Sequence, residues 1–555
     1  MKKILMSIAL LASGCFFVSC QDSELDQETP HLIAADNLYK DKAGFESGLY
    51  GVYSLVRNER SGVSVKKAGK VGTSNALVIG CMMGGTDVIT SSYPRTESQF
   101  IVYWQDHLNP QNTYMRLIWE WLYKIVNSSN TIINRAENGE HSMTPDDTKY
   151  IVAEAKFMRA WAYRHLTYLY GEVPLSVEES NGTNIRMDWT RSSLDEVFKF
   201  MESDLKEAVS VLSATPLNDV RVVKGAAQHY LAELYVRMGR YNDAITVGKD
   251  LIEKGPHALI TERYGKYTDQ PGVAYMDMFK DGNTNISEGN TEALWVFPSE
   301  YDVEGGKGRN IMRRELISDY NKAIGLAYSV ERGGRGQDRL CATNYMLTEA
   351  YGDDLVTGNE TIQDDRASEH AWRKYFVVSD YDDLSKIQKD DVKVGDKLWM
   401  TTVSEFKGRE SFRVNTRKWD WTRAENVKET YGYNDHLYLR LADTYLLMAE
   451  AYVKDGNAGE ALKYVNAIRE RANAVPATAG DMTIDYILDE RARELYSEEH
   501  RRYTLLRNDK WLERTKAHNV VAGPKVTDRD KLYPIPQNFI DANVESTISN
   551  NPGYN

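Results

Sequence analysis

Cysteine is scarce in this chain: four in 555 residues, at positions 15, 20, 81 and 341. So few cannot build a disulfide framework, and none stands at zinc-ligand spacing from another. The ten histidines are scattered, with no pair at metal-ligand spacing, so no resident metal is expected from them. Catalytic signatures are missing as well. There is no Gly-x-Ser-x-Gly elbow and no His-Glu-x-x-His, and GGKGRN at residues 305–310 lacks the Ser/Thr and the spacing of a phosphate loop. Basic charge is in short supply: 68 Lys and Arg face 81 Asp and Glu, a formal charge of −13, which argues against a nucleic-acid partner. Long hydrophobic runs are absent after the N-terminus, where nothing approaches the ~18 apolar residues of a spanning helix.

At the N-terminus Lys2 and Lys3 precede Ile4 to Val18, a stretch interrupted only by Ser7, Ser13 and Gly14. This is a charged n-region followed by an h-region of signal-peptide length. As a helix it would span about 22 Å, short of a roughly 30 Å hydrocarbon core, so residues 1–19 are expected to be an export signal. Phe17-Val18-Ser19-Cys20 resembles a bacterial lipobox, and Cys20 is the expected lipid attachment point. Residues 20–40, opening with the hydrated QDSELDQE after that cysteine, would form a tether, and any membrane hold would run through lipid. Loss of Lys2 and Lys3 with the signal takes the formal charge to −15.

What the remaining chain has in quantity is aromatic: 35 Tyr and 11 Trp, which either fill the core or line something. It also repeats itself. LAELYVRMGRYNDAI at residues 231–245 aligns with MAEAYVKDGNAGEAL at 448–462 at one constant offset of 217. Each copy is predicted to be a helix, a glycine turn and a second helix. Ala227, Leu231, Leu234 and Met238 form one stripe, Gly239 supplies a positive φ, and Ala244, Val247 and Leu251 form the facing stripe. The pattern resembles a degenerate tetratricopeptide repeat. Ile118, Leu122, Ile125, Ser129 and Ile132, then AEAKFMRAWAYRHLTYLYG after Pro145, fit the same stacking of helix pairs. The fold class expected is therefore mostly α. A helix-pair scaffold over residues 41–263 and 434–555 is interrupted at 264–433 by a loop-rich mixed α/β insertion with glycine-rich turns and short strands.

Several motifs in order resemble the SusD/RagB outer-membrane lipoproteins across nearly all of the mature chain. They are AEAKFMRAWAYRHLTYLYGEVPL, YLRLADTYLLMAEAYVKDGNAGEALKYVNAIRERA, ILDERARELYSEEHRRYTLLR, LYPIPQNFI and the terminal NNPGYN. The resemblance implies a lipid-anchored protein of the outer membrane, facing the exterior. It would capture an oligo- or polysaccharide and sit on a SusC-like TonB-dependent transporter, without making or breaking bonds. A peptide-binding or purely structural lid is the rival reading. A glycoside hydrolase is the third, since two carboxylates suffice for that chemistry.

Sugar capture calls for flat rings beside amides, carboxylates or arginines. Two loop regions offer them: GGTDVITSSYPRTESQFIVYW, with Asp87, Tyr93, Arg95 and Trp104, and PSEYDVEGGKGRNIMRRE, with Tyr301, Arg309, Asn310 and Arg313. Trp119, Trp121, Trp161 and Trp295 are expected in the core, Tyr445 and Tyr452 in the scaffold, while Trp372, Trp399, Trp419 and Trp421 fit either role. Residues 305–340 carry a net +4, suited to an acidic glycan or to pairing with the acidic stretch 345–391. DYDDLSKIQKDD begins like a calcium loop at Asp380 and Asp382 but lacks the later ligands, so no cofactor is expected and calcium has only this support.

Overall fold

The computed structural model describes residues 35–554 except 68–69, 92–97, 302, 304–309, 357–361, 388–390 and 402–411. Cys20, Tyr93, Arg95 and Arg309 lie outside the described residues.

Among the described residues eleven helices of seven residues or more carry the framework: α1 Lys42–Ser61, α2 Thr113–Asn138, α3 Pro145–Tyr170, α4 Leu194–Val211, α5 Lys224–Arg237, α6 Tyr241–Lys254, α7 Leu441–Lys454, α8 Ala458–Arg471, α9 Ile484–Leu495, α10 Arg501–Arg507 and α11 Trp511–His518. Their starts are written in the sequence. The Asn112 side chain accepts from the Tyr114 and Met115 amides at the head of α2. Thr144 caps α3 with Pro145 at its first position, and Ser193 and Glu196 form a reciprocal capping box on α4. The stripe Ile118, Leu122, Ile125, Ser129 and Ile132 is buried as a unit. From Ile151 to Tyr170 helix α3 is buried on every side except at Lys156, so it is the central rod of the core.

The repeat is reproduced by the fold to the residue. Both helices of the pair α5/α6 recur in α7/α8 with the same boundaries shifted by 217, and both turn glycines, Gly239 (φ 73°) and Gly456 (φ 81°), take left-handed φ. Helix α6 packs on α7, although 186 residues of chain separate them. The buried stripe of α6 is Ala244, Gly248 and Leu251 rather than Ala244, Val247 and Leu251. A Cβ on Gly248 would lie 2.1 Å from the Met448 sulfur, so the close approach there requires glycine.

Between α6 and α7 the chain makes short antiparallel pairs. Strand β4, Ala293–Phe297, joins β10, His436–Arg440, which runs straight into α7. Before them in the chain β1 (Val63–Lys67) pairs with β2 (Lys70–Ser74), and β3 (Ile89–Thr90) reaches across to β5 (Cys341–Ala342). Then β6 (Trp372–Arg373) pairs with β9 (Asn415–Thr416), and β7 (Tyr375–Val377) with β8 (Lys397–Trp399). One continuous hydrophobic core runs from α1 through the helices into this middle segment. Trp119, Trp121, Trp161 and Trp295 are all inside it, as expected. Tyr445 and Tyr452 both pack on Tyr464. Among the described residues no helix is long and apolar enough to cross a membrane.

Charge is buried where helix pair and middle segment meet. Arg366 donates to Asp364, Glu490 and Glu494; Arg440 to Glu292, Glu494 and Glu498; Arg471 to Glu292 and Glu494. Lys418 joins through Glu498, and burial pushes its ammonium down to about 8. The charged motifs RLAD and ERAREL are therefore interior joints.

Candidate functional site

The two loop regions expected to bind are linked through a third residue, Arg339. Ser91 and Ser98, both within the first, have hydroxyls 3.5 Å apart, and Ser91 donates to the Arg339 carbonyl at 3.0 Å. Arg339 lies 3.5 Å from Glu315, at the end of the second region and within the short helix Met312–Leu316 that follows Asn310.

Four of the expected contact residues are placed as structural parts instead. Asp87 is fully buried and accepts from Arg501 (2.6 and 2.8 Å) and Arg514 (2.7 Å). Burial alone would raise its carboxyl, but those guanidinium charges hold it well below the usual carboxylate range, so it ties the first region to α10 and α11. Trp104 is also fully buried, edge-on to Trp511 at 5.6 Å, and offers no ring face to a ligand. Asn310 bridges backbone to backbone with Gly432 and donates to His436. Arg313 is 2% exposed and donates to the carbonyls of Trp421, Glu429 and Tyr431, burial pushing it down to about 10.

Those three carbonyls belong to the segment that carries the open aromatics. The Arg423 guanidinium lies 5.4 Å from the Tyr301 ring centroid and 5.6 Å from that of Trp421. Tyr301, 38% exposed, meets Tyr433 edge-on at 5.0 Å. On its other side Trp421 and Tyr267 line one cleft, where the Tyr267 hydroxyl donates to the Asp281 carbonyl at 3.1 Å and Lys280 sits 5.2 Å over the Tyr267 ring. The result is a strip, Tyr433, Tyr301, Arg423, Trp421 and Tyr267, with Arg313 setting its spacing from below. Its Tyr267 end opens into a cleft of about 460 Å³ whose apolar wall is Met276 and Phe279 and whose polar rim is Gln270, Glu331, His370, Arg417 and Asp420. Flat rings with amide, guanidinium and carboxylate groups at the edge suit the two kinds of surface on a pyranose.

The other cavities suit a sugar less well. One of about 510 Å³ lies where α3, α5 and α10 end, but the Arg237 guanidinium covers its Tyr168 ring at 3.8 Å. Another, among Arg164, Glu233 and Arg440, has about 20 Å³, room for a single water. Of the two carboxylates on the cleft neither is held as an acid. Burial would raise Asp420, but Arg417 and Arg373 lower it; Glu331 is lowered by backbone and Ser329 hydrogen bonds. A glycosidic general acid needs the opposite shift.

Metal ligation fares no better. Glu59, His165 and His500 form a buried group of close ligand atoms, yet Glu59 already accepts from Tyr438 (2.7 Å) and lies 2.9 Å from His500, with Arg60 beside it. The Asp382 of the calcium-like stretch is taken by Arg332 at 2.6 and 2.7 Å. That pair is the only expected bond between the basic 305–340 and acidic 345–391 stretches seen among the described ion pairs; Arg335 and Arg339 find Asp319 and Glu315 in their own stretch. Of the tryptophans left open, Trp372 and Trp419 are buried, whereas Trp421 is half-buried and Trp399 is exposed.

Comparison with known proteins fits this architecture. The SusD family model matches residues 281–554, and a second, described as starch-binding associating with outer membrane, matches 85–236. The chain belongs to the SusD/RagB family. It is 25% identical to SusD-like protein P25 of Formosa agariphila, over 91% of this chain and 89% of that one. It is likewise 25% identical to the starch-binding protein SusD of Bacteroides thetaiotaomicron, over 78% of each. A laminarin-binding SusD-like protein of known structure superposes with a TM-score of 0.66 at 20% identity, covering 93% of this chain and 100% of that one. A SusD homologue from Bacteroides thetaiotaomicron gives 0.69 at 18%, covering 94% and 98%. These structural likenesses establish the fold.

Proposed function

We propose that this protein binds an oligo- or polysaccharide along the aromatic strip and delivers it to a SusC-like TonB-dependent transporter of the outer membrane. Lipid on Cys20 would hold it there, facing the exterior. The observation that carries the reading is the Tyr301–Arg423–Trp421–Tyr267 strip opening into the cleft. Relatives named for starch and laminarin binding support the ligand class, and the outer-membrane description of a matching family model supports the location. Binding without chemistry fits the two ionised carboxylates on the cleft.

The test is retention of the purified mature protein in native gels cast with a panel of polysaccharides, laminarin and amylopectin among them. Retention without released sugar is expected, with Trp421→Ala abolishing it while thermal unfolding stays cooperative. Retention unaffected by Trp421→Ala would overturn the site; released sugar would overturn the non-catalytic reading.

A further inference from the structure

The strip does not use the exposed tryptophan. In the β7–β8 hairpin the register sets Tyr375 opposite Trp399, Phe376 opposite Leu398 and Val377 opposite Lys397. Phe376 and Leu398 face inward, 1% and 3% exposed, and Phe376 packs on Tyr320 at 4.5 Å. Alternation therefore puts Tyr375, Val377, Lys397 and Trp399 together on the outer face. Packing asks nothing of that face. Yet Trp399 is 42% exposed with its ring 5.0 Å from Tyr375, and the Lys397 ammonium lies 4.2 Å over the Tyr375 ring. An exposed tryptophan against a half-buried tyrosine, beside polar groups, marks a contact surface.

Hydrogen bonds join this face to the cleft. Tyr375 donates to the Glu369 carboxylate, and the Glu369 carbonyl accepts from Arg417 at 3.0 Å. Arg417 is on the cleft rim with Trp421, and so is His370, the residue after Glu369. The polar rim thus continues from cleft to hairpin without a break.

We infer that Tyr375 and Trp399 form a second stacking platform for the same glycan chain, with Glu369 and Lys397 meeting its hydroxyls. The inference rests on the strip reading above and deepens it: the protein selects chains long enough to occupy both platforms. Short oligosaccharides fill the strip alone.

The experiment takes whichever polysaccharide of the panel the wild-type protein retains, with short and long oligosaccharides cut from it, and titrates each calorimetrically. Trp399→Ala is expected to leave short-chain affinity unchanged and to weaken long-chain affinity about ten-fold, the scale of one lost aromatic contact. Trp399→Tyr should restore most of it, which separates a lost ring from a lost fold. Equal weakening of both lengths, or of neither, would overturn the inference and give the hairpin face to another occupant. Were Trp421→Ala harmless while Trp399→Ala abolished all binding, the strip would fall with the length selection built on it. A wild-type protein that retains no polysaccharide would overturn both.

Discussion

The interior joints and the aromatic strip treat charge in opposite ways. Glu494 is fully buried among Arg366, Arg440 and Arg471, so each charge is answered by another from the same chain. Arg423 is held by two rings, with no carboxylate in ion-pair range among the described residues. The first arrangement spends its electrostatics on holding helices to the middle segment. The second keeps donors and ring faces available at the surface. The charged motifs RLAD and ERAREL are thus structural joints here, whereas the proposed ligand site is built from half-open aromatics.

The sharpest way to break that contrast is at Glu494. Glu494→Gln leaves three buried guanidiniums short of a partner, and removing one side of a buried pair costs about 3–5 kcal/mol. A large fall in the urea midpoint is expected. Ligand affinity, measured where the variant is still folded, should hold. A loss of affinity without loss of stability would place the ion network in the site.

Acid acts on the same joint more gently. Burial would raise Glu490, but Arg366, Arg493 and Arg469 hold it down to about 2 from an ordinary 4.5. A depressed carboxylate contributes stability above its unfolded pKa and loses it as pH falls through the folded one. About 3 kcal/mol should therefore disappear between about pH 4.5 and pH 2. Urea unfolding across that window should show the slope in the wild-type protein and a shallower one in Glu490→Gln. An unchanged slope would mean that the carboxylate is not ion-paired.

Local pattern disclosed the repeat to the residue, because helix period and turn glycines are nearest-neighbour properties. It misplaced Asp87 and Trp104 because the stretch around them is rich in glycine and serine and lacks helical period, which is the pattern of a surface loop. What buries them comes from far along the chain: Arg501 lies 414 residues from Asp87, and Trp511 covers Trp104. Nothing local encodes such partners. Trp421 stood undecided between core and surface for the same reason. The usable signal was its company, Arg423 two residues on and Tyr431 and Tyr433 soon after, a ring-and-guanidinium cluster outside any periodic element.

Arg313 decides between the two ways of using charge, since sequence suggests a ligand contact and the structure a brace. Its guanidinium is buried, without ligand-facing surface, and donates to three carbonyls of the segment bearing Trp421 and Tyr431. Arg313→Met keeps much of the apolar stem but strands those carbonyls, at about 2 kcal/mol. The expected result is a modest loss of stability together with weaker glycan retention, because the strip loses its spacing. Faster amide exchange should appear across residues 421–431, as that stretch is released from its buried anchor. A variant as stable as the wild type, with unaltered exchange and no retention, would instead make Arg313 a direct contact and move the site inward from the strip.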